Sequence, residues 1–161
     1  MVFEDKLGFR RLRNPCDGAA IAAAEAKLGH SLPEDFCQFL LEWNGGIFPQ
    51  AATYFVADED DVRANHLSVM FGLFDESDIE DIRASRKAYG FDVAVPQGII
   101  PIGSNNHWDL VCISLNAAEY GIIYAWIPGE PWVDQSPTRE YLNFVSPNFR
   151  SFWDSLVATE E

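Results

Sequence analysis

The sequence predicts an α+β fold, in which an N-terminal helical hairpin and a C-terminal helix flank a mostly antiparallel or mixed β-sheet. Apolar residues recur with helical spacing near both ends of the chain, whereas the region between them consists of short runs rich in Val, Ile, Tyr and Phe. The chain has 161 residues, of which 48% are hydrophobic, and this is enough for one core. At roughly 150 residues per domain, we predict a single domain over residues 1–161.

Two helices are predicted after a polar entry. The alanine-rich run over residues 19–28 has high helix propensity, and Gly29 is suited to end it. Ser31 and Glu34 have the spacing of a capping box, with Pro33 in the first turn, and predict the start of a second helix there. That helix carries an apolar stripe at i, i+3, i+4 and i+7, made by Phe36, Phe39, Leu40 and Trp43.

The remaining elements are short strands and two further helices. Strands are predicted over residues 53–57, 67–73, 99–103, 109–115, 121–127 and 141–145. Because only residues 116–120 separate the fourth from the fifth, these two are predicted to pair as an antiparallel hairpin. One helix is predicted over residues 78–89, with Ser77 as its N-cap. The last opens at Ser146 and Pro147, and its apolar face is made by Phe149, Phe152, Trp153 and Leu156.

The charge balance excludes some classes of partner and favours another. With 25 Asp and Glu against 11 Lys and Arg, the net charge is −14. Nucleic-acid binding depends on a cationic surface that releases counterions, so we expect no nucleic-acid partner, and an anionic membrane surface would also repel the chain. The same charge would steer a basic protein towards it. Charge alone leaves simple solubility and partner binding as equal alternatives.

No pattern of residues points to an enzyme, a cofactor or a metal ion. His30, His66 and His107 do not have metal-ligand spacing, and the two-residue separation of His107 from Asp109 does not by itself make a catalytic pair. Phosphate-binding loops and nucleophile elbows are absent from the sequence. The cysteines are odd in number and far apart, which predicts reduced thiols in a cytoplasmic protein: Cys16, Cys37 and Cys112.

Acidic runs and one tryptophan are the candidate partner-binding residues. Four adjacent carboxylates at residues 58–61 must be solvated, because they cannot all be buried unpaired. A second acidic run begins at residue 75, and Trp132 fits no apolar stripe, while tryptophan is enriched at interface hot spots. The predicted partner-binding residues are Asp58, Glu59, Asp60, Asp61, Asp75, Glu76, Asp78, Glu130 and Trp132.

The order and spacing of these features match a known family. The N-terminal part combines the Leu-Pro-Glu-Asp-Phe run at residues 32–36 with Asn-Gly-Gly at residues 44–46, after Leu28 and Gly29. It resembles the N-terminal signature of the SUKH superfamily. Residues 100–103, 108–115 and 121–126 resemble the paired central strands of that family, and residues 149–156 resemble its last helix. The resemblance covers about residues 17–157.

The resemblance implies a function as well as a fold. Most bacterial members are immunity proteins that bind and block a cognate secreted toxin domain, often a nuclease, as in contact-dependent inhibition. We therefore expect an immunity protein that is cytoplasmic, monomeric or weakly dimeric, and complementary to a basic toxin through its acidic surface. The alternative is a regulatory or scaffold module that binds an endogenous protein. No catalytic residue, cofactor or metal is expected in either case.

Overall fold

The fold is given by a computed structural model, which describes residues 2–12, 14–57, 61–73, 95–105, 109–127 and 139–160. Its helices in these ranges are α1 (Gly18–Leu28), α2 (Glu34–Glu42) and α3 (Phe149–Ser155). They flank one seven-stranded sheet, so the predicted α+β class is confirmed. The helix predicted over residues 78–89 lies outside the described residues.

The sheet is antiparallel at every described ladder and has the strand order β6-β5-β4-β3-β2-β1-β7. Although four strands lie between β1 and β6 in this order, the two contact each other, because the sheet is curled. The strands are β1 (Gly46–Ala57), β2 (Val62–Met70), β3 (Ile99–Ser104), β4 (Leu110–Ser114), β5 (Ile123–Trp126), β6 (Leu142–Ser146) and β7 (Val157–Ala158).

The first two strands are longer or shifted relative to the prediction, and the last was not predicted. β1 begins at Gly46, directly after α2, and β2 ends at Met70. The predicted continuation to residue 73 is wrong, since the backbone N–H of Leu73 donates to Asn44 Oδ1 at 2.6 Å and no longer points at a neighbouring strand. The predicted hairpin of β4 and β5 is confirmed, with Val111 opposite Ala125.

The start of α2 also differs from the prediction. Pro33 is itself the N-cap residue, and no side chain caps the helix, so the capping box of Ser31 and Glu34 does not form. If Ser31 were the N-cap, Leu32 would have to be helical, which the following proline disfavours. The Ser31 carbonyl instead accepts a hydrogen bond from the Tyr120 hydroxyl at 2.6 Å. By contrast, Gly29 ends α1 in the left-handed conformation as predicted, with φ 73°.

One face of the sheet is covered by the helices and holds the main core. The apolar stripe of α2 meets α3 there, with the Phe39 ring centroid 5.0 Å from that of Phe149 and 5.2 Å from that of Trp153. The N-terminal segment, predicted as a polar entry, adds Phe3 and Phe9 to this core. Their burial depends on partners far along the chain: Trp43 Nε1 donates to the Phe3 carbonyl at 2.6 Å.

The other face of the sheet is only partly covered. Beneath β3, β4 and β5 lies a second core, made by Val95, Ile99, Leu110, Cys112 and Trp126. β4 therefore has buried side chains on both of its faces. The β1–β2 pair at the other end of the sheet is different, and its far end carries the candidate site.

Candidate protein-interaction surface

The far end of the β1–β2 pair extends beyond its neighbours. β1 pairs with β2 as far as Ala57 opposite Val62, whereas β7 pairs with β1 only at Ala52 and Thr53. On the other side, within the described ranges, β2 pairs with β3 only through Val69 and Met70. In the described ranges, residues 54–57 and 62–65, called the ribbon arm below, therefore pair along the sheet only with each other.

The ribbon arm has one buried and one exposed face. Tyr54 and Val56 point into the main core, each with 1% of its surface exposed. Phe55, between them, is 46% exposed, and Val62 is 59% exposed. Directly opposed residues of an antiparallel pair share a face, so Phe55 lies beside Ala64, and Ala57 beside Val62. The exposed side, called the outer face below, is formed by Phe55, Ala57, Val62, Ala64 and, from β7, Val157.

One exposed carboxylate lies beside the tip of the outer face. Asp61 is exposed at the start of β2, where its Oδ1 accepts a hydrogen bond from the backbone N–H of Val62 at 2.8 Å. At the base of the arm, Thr159 Oγ1 lies 2.9 Å from Thr53 Oγ1, and the next residue, Glu160, is exposed. The outer face is thus an apolar strip with the carboxylate of Asp61 beside its tip.

On the buried side, a polar cluster ties the ribbon arm to β4. Asn65 Nδ2 donates to the Tyr54 hydroxyl at 2.8 Å and lies 3.3 Å from Asp109 Oδ2. Asn105 Nδ2 lies 3.4 Å from the same Asp109 oxygen. Burial, and secondarily the negative charge of Asp109, raise the pKa of Tyr54 far above its ordinary value. The tyrosine is therefore a neutral hydrogen-bonding group near neutral pH.

A second polar cluster lies at the β4–β5 hairpin and is built around Glu119. Both nitrogens of the Arg139 fork donate to its carboxylate, at 2.6 and 3.0 Å, and the Ser114 and Tyr124 hydroxyls donate at 2.8 and 3.1 Å. Burial alone would raise the pKa of Glu119, but the hydrogen bonds from Arg139, Ser114, Asn116 and Tyr124 lower it to about 2. Because the carboxylate is already surrounded by donors, this cluster fastens the hairpin and offers little to a ligand.

The described residues contain no arrangement that points to metal chemistry. No group of three or more His, Cys, Asp or Glu among them could hold a metal ion. His107 lies outside the described ranges, and the Asp109 carboxylate is held by the amides of Asn65 and Asn105. Burial also raises the pKa of the half-buried Cys37 thiol, to about 11, which keeps it protonated and unreactive near neutral pH.

Most of the predicted partner-binding residues cannot be placed. Asp61 is described and exposed, as predicted. The others lie outside the described residues: Asp58, Glu59, Asp60, Asp75, Glu76, Asp78, Glu130 and Trp132. Sequence reasoning missed the outer face, because residues 54–57 are all apolar or aromatic and show no alternation to separate an exposed from a buried side. An unbroken apolar run next to four carboxylates was the available signal.

Comparison with known proteins gives one family. The model of the SMI1 / KNR4 family (SUKH-1) matches residues 15–155, which is most of the chain and includes every α-helix named above. No curated protein matches the chain significantly. None of the helices in the described ranges is both long and apolar enough to cross a membrane.

Proposed function

Because the chain belongs to the SMI1 / KNR4 family (SUKH-1), we propose that it is an immunity protein, which binds a cognate secreted toxin domain and blocks it. The family match over residues 15–155 is the observation that carries this proposal, since the resemblance implies such a role for bacterial members. The chain acts as a single domain, by stoichiometric binding and without a catalytic step, in the cytoplasm, as a monomer or weak homodimer.

The charge of the chain supports a basic partner. A net charge of −14 speeds the approach of a cationic surface, and a nuclease toxin presents such a surface where its nucleic acid binds. An acidic protein seated there would exclude the substrate by occupying the same groove. We propose that the carboxylates at residues 58–61 and 75–78, with Glu130 and Trp132, contribute to this contact. A membrane or nucleic-acid partner is disfavoured by the same charge.

Co-expression with the toxin domain encoded beside this gene tests the proposal directly. We expect the chain to restore growth of cells that produce the toxin domain and to co-purify with it at a fixed stoichiometry. Failure of both, with the two proteins soluble, would contradict an immunity role. If the gene has no toxin gene beside it, a scaffold role for an endogenous partner is favoured instead.

A pair of charge reversals tests the acidic contact. In Asp60→Lys/Asp61→Lys, we expect the association rate constant with the toxin domain to fall about tenfold or more at low salt, because steering is lost. The matched control is Glu4→Lys/Asp5→Lys, which changes the net charge equally at two exposed residues of the N-terminal segment. Equal effects of the two variants in stopped-flow binding would show that only total charge matters and that the acidic run is not a contact.

A further inference from the structure

The outer face of the ribbon arm is where exposed apolar side chains concentrate. Eight large hydrophobic residues are exposed among the described ones, and three of them lie on this face: Phe55, Val62 and Val157. A small monomeric protein usually scatters such residues singly, so a contiguous group indicates a contact surface. The two exposed alanines, Ala57 and Ala64, fill the spaces between them.

The fold itself gives no reason for this apolar face. Strands of an antiparallel sheet that face water on one side normally alternate apolar inward and polar outward. Tyr54 and Val56 satisfy the inward requirement, yet Phe55 between them points outward. On β3, β4 and β5 the corresponding side carries the second core, whose apolar side chains are buried. On the same side, Phe144 of β6 is exposed singly opposite Tyr124, whereas the outer face of the arm groups several exposed apolar residues.

The distribution of charge around the face indicates the kind of partner. Its cross-strand pairs, Phe55 with Ala64 and Ala57 with Val62, are apolar, and the next pair towards the base, Thr53 with His66, includes no Asp, Glu, Lys or Arg. Asp61 lies beside its tip. The arginine of the arm, Arg63, is opposite the buried Val56 and so belongs to the other side of the ribbon. An apolar centre with a charged rim is the usual anatomy of a protein interface.

We propose that the outer face of the ribbon arm is the docking surface for the toxin domain and receives an apolar patch bordered by Lys or Arg side chains. The proposal rests on the immunity function proposed above. Phe55 is the central anchor, because it is the largest side chain on the face and is flanked on both strands by apolar neighbours. Asp61 pairs with the basic border and orients the partner.

The test replaces Phe55, the proposed anchor, and compares the result with replacement of a similarly exposed phenylalanine outside the outer face. Phe55→Thr keeps a residue suited to a strand and removes the apolar ring. Phe144→Thr is the matched control, since Phe144 is 49% exposed on β6, opposite Tyr124, and is not part of the outer face. With the purified toxin domain encoded beside this gene, we expect Phe55→Thr to raise Kd about tenfold to a hundredfold, mostly through faster dissociation, and Phe144→Thr to leave Kd unchanged.

A measurement on the unsubstituted chain covers the case in which Phe55→Thr does not fold. Hydrogen exchange with and without the toxin domain is expected to show new protection at amides 54–57 and 62–65, and none on β6. If the toxin domain binds Phe55→Thr as tightly as the unsubstituted chain, and the arm amides gain no protection, the proposed docking surface is overturned. The immunity function would still stand. No binding by the unsubstituted chain would overturn both. A homodimer that Phe55→Thr dissociates in the absence of toxin would also overturn the proposal, because the face would then be occupied by a second copy.

Discussion

The β4–β5 hairpin and the β1–β2 ribbon are both antiparallel pairs, but they have different surroundings. All five residues of β4 are buried, because one core lies on each of its faces. The ribbon arm has a core on one face and exposed apolar side chains on the other. The same antiparallel pairing is therefore buried within the protein in the β4–β5 hairpin and forms a candidate contact surface in the ribbon arm.

The polar cluster beside the β4–β5 hairpin also has stronger hydrogen bonds than the cluster beside the ribbon arm. Glu119 is held by a charged fork from Arg139 and by two hydroxyls, and these bonds to an ionised group are the strong kind. At the arm, Asp109 is also a carboxylate, but its bonds from Asn65 and Asn105 are longer, at 3.3 and 3.4 Å, and their donors are neutral amides, not a guanidinium. The difference predicts that the hairpin is the more strongly fastened of the two.

The largest expected difference in stability between the hairpin and the ribbon arm comes from truncating one apolar side chain in each. Ile113 on β4 is fully buried, whereas Val62 in the arm is 59% exposed. We expect Ile113→Ala to lower the free energy of unfolding by about 2–5 kcal/mol, through lost burial and an unfilled cavity, and Val62→Ala to change it by less than about 0.5 kcal/mol. Urea denaturation followed by tryptophan fluorescence measures both. Similar losses would show that the arm is as well packed as the hairpin.

The Glu119 cluster should contribute less than the core but in a pH-dependent way. We expect Glu119→Gln to lower the free energy of unfolding by about 1–3 kcal/mol at neutral pH. The amide has no charge and one acceptor oxygen fewer for the donors of Arg139 and buried Ser114. The pKa of Glu119 is lowered in the folded chain, from 4.5 to about 2, so its contribution is complete above about pH 4.5 and is lost as the pH falls towards 2. The wild-type and variant stabilities should therefore converge on acidification.

Asp154→Asn is the control for that pH series. Asp154 lies 3.4 Å from Arg150 in an exposed i, i+4 pair, and such pairs contribute about 0–0.5 kcal/mol. Thermal unfolding from pH 7 to pH 3 should show a small, nearly constant effect for this variant. A Glu119→Gln penalty that stayed the same at pH 3 would contradict the assigned role of the carboxylate.

The smallest effect is expected at the arm cluster. Asn65→Ala removes the amide that joins the Tyr54 hydroxyl to Asp109, and we expect a cost of about 1 kcal/mol. Hydrogen exchange at amides 62–65 should also become faster, because these bonds hold the arm against β4. Val62→Ala, at an exposed position of the same strand outside this hydrogen-bonded cluster, should leave both quantities nearly unchanged. Unchanged exchange in Asn65→Ala would mean that strand pairing alone holds the arm.

Local signals in the sequence predicted most of the regular structure. The stripe of Phe36, Phe39 and Leu40 placed α2 correctly, because helical spacing puts these side chains on one face whatever they pack against. The capping box failed for a local reason as well, since the effect of Pro33 on Leu32 was not weighed against the spacing of Ser31 and Glu34.

The candidate site was much less predictable. The acidic run at residues 58–61 was identified from composition, and Asp61 is exposed as predicted. Phe55 and Val62 were not identified, because a run in which every residue is apolar carries no alternation to show which side faces water. The partners of Glu119 and Asp109 were equally hidden, since Arg139 and Asn65 are 20 and 44 residues away from them in the chain.

By itself, the sequence determined the α+β class, the positions of α1, α2 and α3 and of most strands, the strong negative charge and the family. These properties depend on composition and on short-range periodicity, which the folded state does not alter. Only the tertiary structure decided that Phe3, which precedes three charged residues, is buried, and that Phe55, in an apolar run, is exposed. The burial of Phe3 depends on partners far along the chain, and the exposure of Phe55 depends on which face of β1 meets the core, so both are set by long-range contacts.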